Sequence, residues 1–180
     1  MPVPYRKTPR AVETGCVAYL DVARLRSVGA FYGALLLMDG RGQPLEFVHN
    51  TLTAPTGFLW PEAKVRSLAV AALARSLFDA CRREPDLLVC LVSLGTPDFC
   101  REELAPTIPF AQITPARDEV PAEWNWINDP PAAGMRADAL YRELSKRGFI
   151  MEPFERLRDG LQIVYPQAPL QEADDAAAPE

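Results

Sequence analysis

The stretch PEAKVRSLAVAALARSLFDACRREPDLLVCLVSLG, residues 61–95, holds the two clearest local signals in the chain. In its first part, Val65, Leu68, Ala69, Ala72, Leu73, Ser76, Leu77 and Ala80 recur at the i, i+3, i+4, i+7 spacing. Residues at that spacing share one face of an α-helix. Pro61 suits a first helical turn, where its missing N–H costs nothing. The spacing therefore predicts a helix from about Pro61 to Arg83, ended by Glu84-Pro85-Asp86. LLVCLVSL (87–94) follows as an unbroken apolar run, too short for a helix. Such a run predicts a strand buried on both faces, of the kind found parallel and central in a sheet.

Upstream, CVAYLDVA (16–23) reads as a strand carrying one Asp, and AFYGALLLM (30–38) as a second strand. Asp39-Gly40-Arg41-Gly42 is a glycine turn, and PLEFVHNTL (44–52) returns from it with Leu45, Phe47 and Leu52 apolar. Two apolar runs joined by a short Gly turn form a β-hairpin. Downstream, IPFAQIT (108–114) reads as a further strand inside a Pro-rich region, 105–133, otherwise expected to be a long irregular loop around Trp124-Asn125-Trp126. Arg136–Arg147 reads as a helix with Leu140 and Leu144 on one face and Gly148 as its C-cap, and LQIVYP (161–166) as a last short strand. Antiparallel strands first, then a helix and a parallel strand, predict a mixed α/β sheet.

With 180 residues and 48% hydrophobic content, the chain is sized for one domain with a filled core. Residues 1–13, Pro-rich and basic, are expected to be a flexible segment and 171–180 a disordered acidic tail, leaving 14–170 as the domain. The net charge of −5 argues against a protein that coats nucleic acid with a broad basic surface. Four of the acids, Glu172, Asp174, Asp175 and Glu180, lie in the last ten residues, and without them the net charge is only −1. Cys16, Cys81, Cys90 and Cys100 form no CxxC pair and read as reduced thiols of a cytoplasmic protein. No run approaches the roughly 20 apolar residues of a membrane span, and no signal peptide is evident. No P-loop, dinucleotide fingerprint, HExxH or GxSxG motif is present.

The order of these segments resembles the ribonuclease-H-like superfamily. LDVA (20–23) is similar to its opening strand motif with the first catalytic carboxylate, and YGALLLMDGRG (32–42) to its hairpin. TGFLWPEAKVRSL (56–68) and EPDLLVCLVSLG (84–95) are similar to segments of the endonuclease V branch, as is Ala105-Pro106-Thr107-Ile108-Pro109. MRADALYRELSKRGF and GLQIVYPQA look more like a family of uncharacterised nucleases of the superfamily. The resemblance spans roughly 15–170 and implies phosphodiester hydrolysis of DNA or RNA with Mg²⁺ or Mn²⁺. It implies Asp21, Glu62 and Asp138 as catalytic, metal-binding carboxylates, because a pair of hard cations needs several converging acids. One departure stands out. Where a further strand acid belongs, this chain reads Val92-Ser93-Leu94-Gly95, and the nearest acid is Asp98.

Each candidate also has a plainer explanation. Asp21 can cap a turn or pair with Arg24 or Arg26. Glu62 sits in a first helical turn, where the dipole favours any acid. Asp138 can be a first-turn acid or an ion-pair partner, and Asp98 a turn residue. His49 reads as a partly exposed strand residue. Lys64, Arg66, Arg75, Arg82 and Arg83 make the long helix basic, so Lys64 and Arg66 can contact phosphates, and Trp60 can stack on bases. Trp124 and Trp126 suit a protein partner or a homo-oligomer. Three readings remain open: a metal-dependent nuclease, a degenerate module of the same fold that binds nucleic acid or protein, and a scaffold subunit.

Overall fold

The computed structural model describes residues 15–25, 29–53, 60–116, 121–147 and 150–166. The expected terminal segments and the Gly148 cap lie outside these. Six strands form one sheet: β1 (Cys16–Leu25), β2 (Ala30–Asp39), β3 (Pro44–Thr53), β4 (Leu87–Leu91), β5 (Phe110–Thr114) and β6 (Glu123–Trp126). Their order across the sheet is β3-β2-β1-β4-β5-β6. The β1/β2 and β2/β3 pairs are antiparallel, β1/β4 and β4/β5 parallel, and β5/β6 antiparallel. Helix α1 (Glu62–Ala80) connects β3 to β4, and α2 (Pro97–Phe99), α3 (Arg136–Arg147) and α4 (Glu152–Val164) complete the chain. This is the mixed α/β sheet that the order of the segments predicts, three antiparallel strands followed by a helix and parallel strands.

Side chains alternate across the sheet, so β1 feeds two cores. Ala18, Leu20 and Val22 pack with Val65, Ala69, Leu73 and Leu77 of α1. Val17 and Tyr19 pack on the other side with Leu140 and Leu144 of α3 and Phe154, Leu157 and Leu161 of α4. β4 is buried along its whole length, as its continuous apolar run requires. At the hairpin turn, the Asp39 carboxylate accepts from the Arg41 and Gln43 amides, and Gly42 supplies the positive φ of 80°.

Four expectations change. LQIVYP is not a strand: Leu161–Val164 continues α4, with Phe154, Leu157 and Leu161 on one buried stripe. Gly160 lies within this helix, where a Cβ would come within 2.8 Å of the Phe47 ring, so the glycine allows the helix to lie close on β3. The run 87–94 ends as strand at Leu91, and Val92–Leu94 forms a 3₁₀ turn. Trp124 and Trp126 lie on β6 rather than in a loop. Their rings stack at 6.0 Å, and Tyr141 of α3 meets them edge-on at 5.2 and 5.4 Å. Along α1, Leu68, Ala72 and Ala80 fall on the exposed side, while Val70, Ala71 and Ala74 join the buried face.

Candidate functional site

β1 and β4 run side by side only from Val17/Leu87 to Leu20/Cys90. Beyond that point β1 continues with β2 alone, and β4 turns away at Val92. The β1/β4 ladder therefore ends in a fork, with β2 beside β1 and β5 beside β4. The carboxyl ends of the strands are the usual ligand position in open α/β sheets. Asp21 is the first residue of β1 past the shared segment, so it stands at this fork.

Asp21 is a buried carboxylate. Its Oδ2 accepts from Nε of Arg158 on α4 at 3.3 Å, and its Oδ1 from the Val22 amide at 2.9 Å. Burial raises its carboxyl above the ordinary 3.8, and the Arg158 guanidinium, these hydrogen bonds and the Arg66 charge oppose the rise. Arg66, on α1, also donates to the Ser93 carbonyl at 2.7 Å and ties the helix to the 3₁₀ turn. Among the described residues the partner of Asp21 is thus Arg158 and not Arg24, and Arg26 lies outside the described residues. Arg24 belongs to the opposite face of β1, where its guanidinium lies 5.5 Å over the Phe31 ring and pairs with Glu62 in the first turn of α1.

Asp138 sits elsewhere. It is buried in the first turn of α3, where its Oδ2 accepts from the Gly134 amide and its Oδ1 from Nε of Arg142, both at 3.0 Å. The reach back to Gly134 follows the logic of a capping box. Two residues on, Leu140 touches Gly15, which has a φ of +65° and no room for a Cβ. Gly15 precedes Asp21 by six strand residues, roughly 20 Å. Asp98 pairs with Arg101 at 3.0 Å in the α2 turn. His49 Nδ1 shares a hydrogen bond of 2.9 Å with the Tyr165 hydroxyl on exposed β3.

The three candidate carboxylates are therefore held in three separate ion pairs: Asp21–Arg158, Glu62–Arg24 and Asp138–Arg142. Among the described residues, no group of three or more His, Cys, Asp or Glu side chains is placed to hold a metal ion. Around the fork the cations are more prominent. The Arg24 and Arg158 side chains are 28% and 42% exposed, and Lys64 is exposed on the same first turns of α1 as Arg66. Trp60, 53% exposed, stands directly before that helix. Trp124 and Trp126 are half-buried against Tyr141 on β6.

Sequence reasoning missed Arg158, which is 137 residues from Asp21 and has no spacing signal. It also missed Asp86. Its carboxylate accepts from the Cys16 amide at 2.9 Å, and its own amide donates to the Cys16 carbonyl at 2.7 Å, fastening β1 to β4 at their start. No helix among the described residues is long and apolar enough to cross a membrane.

No protein-family model and no curated protein matches this chain. Among solved structures it is similar to endonuclease V from Streptomyces avermitilis, at 17% identity and a TM-score of 0.45, over 56% of this chain and 46% of that one. It is also similar to endonuclease V from Bacillus subtilis, at 16% identity and a TM-score of 0.43, over 58% of this chain and 46% of that one. The chain thus spans less than half the length of each.

Proposed function

We propose that this chain is a catalytically degenerate ribonuclease-H-like module that binds single-stranded nucleic acid at the β1/β4 fork. The observation that carries this reading is the pairing of each candidate acid with its own guanidinium. Two-metal hydrolysis needs carboxylates that converge on ions about 4 Å apart. Here both Asp21 oxygens are engaged, Glu62 is tied to Arg24 on the α1 side of the sheet, and both Asp138 oxygens are held by Gly134 and Arg142. The position after β4 adds no acid. This donor set does not fit an Mg²⁺ or Mn²⁺ pair.

The same residues suit a phosphate backbone. Arg24, Lys64 and Arg66 on the α1 side and Arg158 on the α4 side outnumber Asp21 and Glu62, so this end of the sheet is locally basic in an acidic chain. Guanidinium groups take phosphate oxygens in bidentate fashion. Trp60 offers an exposed face for a base, and stacking of that kind tolerates any sequence.

Fluorescence anisotropy of a labelled single-stranded oligonucleotide, with EDTA present and salt varied, tests the reading. Binding is expected to persist in EDTA. Lys64→Ala is expected to reduce the salt slope by about 0.7, the value for one single-strand phosphate contact. Trp60→Ala is expected to weaken binding by about 1–3 kcal/mol. No binding at low salt, or binding indifferent to both variants, would overturn the proposal.

A further inference from the structure

The opposite end of α1 carries a second, different surface. From Glu62 to Ala80 the helix rises about 27 Å, so this surface is remote from the fork. A groove of about 830 Å³ opens there between β3 and the end of the helix, lined by Leu45, Phe47, Val48, Ala80, Arg82 and Arg83 among others.

β3 is an edge strand of ten residues, and nothing among the described residues pairs with its outer side. Natural edges are blunted by shortness, Pro, Lys or bulges. The other edge, β6, has only four residues. β3 begins at Pro44 beside a register shift at Leu37/Met38, but from Leu45 to Thr53 it carries neither Pro nor Lys. Half-buried Leu45 and Val48 on the α1 side and Phe47 on the α4 side give this edge apolar residues on both faces. Every second residue of an unpaired edge turns its N–H and C=O outward, a template for one more strand.

Charge decides which strand. Arg82 and Arg83 are exposed and make no ion pair among the described residues, whereas seven other arginines do. Glu46 also lines the groove, its Oε1 accepting from the Arg82 amide at 3.0 Å, so the lining sets two cations against one carboxylate. The groove mouth is thus cationic on a chain of net charge −5. The geometry points to a docking site where an extended, acidic segment of a partner protein adds to β3 as a seventh strand. Its backbone bonds the open edge, its apolar residues pack beside Phe47 on the α4 side, and its carboxylates meet Arg82 and Arg83 beside Leu45 and Val48 on the α1 side. Strand addition gains affinity from the main chain and selects through alternate side chains.

Selection of random strand-length peptides displayed on phage against the chain tests this. Enriched peptides are expected to alternate apolar residues with Asp or Glu and to slow amide exchange at alternate residues of β3. The variant Arg82→Glu/Arg83→Glu, with circular dichroism confirming its fold, is expected to weaken them at least about tenfold. Arg83→Glu alone serves as the milder variant, because the Arg82 backbone is part of the Glu46 contact. The proposal is overturned by no enrichment, by enriched peptides without acids, by affinity unchanged in both variants, or by β3 amides left unprotected.

Discussion

Asp21 is where the chemistry of the fork is decided. It is the residue that the family resemblance implies as a catalytic carboxylate, yet burial dominates its environment and lifts its proton affinity despite Arg158. An acid raised in the fold contributes its stability below the unfolded value and loses it as pH climbs through the folded value. At neutral pH the charged Asp21 is therefore a net cost. Asp21→Asn is expected to melt higher than the wild type at pH 7, with the gap closing as pH falls towards 3.8. Thermal melts across that range check the sign; a variant that melts lower at pH 7 would mean that the Arg158 pair outweighs burial. Asp21 was legible as a special residue because an Asp inside an apolar strand is rare and expensive. Its partner was not, because only the folded chain brings α4 to β1.

At the scale of elements, strong periodicity was legible and local ambiguity was not. α1 could be read from its apolar repeat, and its buried stripe, Val65, Ala69, Leu73 and Leu77, lies against the sheet. Leu77 is fully buried and meets β2 at Gly33, where a Cβ would come within 3.1 Å of its Cδ1. Leu77→Ala is expected to cost about 2–5 kcal/mol, measured by urea unfolding. A loss below 1 kcal/mol would show that α1 packs more loosely than this. β4 could be read too, since five apolar residues flanked by Pro and Gly have few other destinations. α4 could not: its β-branched end, Ile163-Val164, imitates a strand, and Gly160 imitates a break. The closeness of Phe47 to Gly160 is a tertiary fact. The Pro-rich 105–133 region likewise hid β6, whose tryptophans are ordered by Tyr141 from the following helix.

For the whole molecule, the sheet joins two surfaces with different chemistry. The β1/β4 fork gathers guanidinium groups around the acids, and the β3 edge presents an open strand beside Arg82 and Arg83. The overall acidity of the chain conceals both, since composition averages over local patches that only the fold creates. The mixed sheet was legible from the order of the segments. The state of Asp21 and Glu62 was not, because ion pairs between distant elements leave no mark on spacing, whereas the Asp138–Arg142 pair is a local i,i+4 pair. The account stands on those acids being held by arginine rather than free to converge on metal. Its most direct test is incubation of labelled single-stranded DNA and RNA with Mn²⁺ and either the wild type or Asp21→Asn. The account predicts no cleavage that depends on Asp21; Mn²⁺-dependent cleavage abolished by that substitution would contradict it.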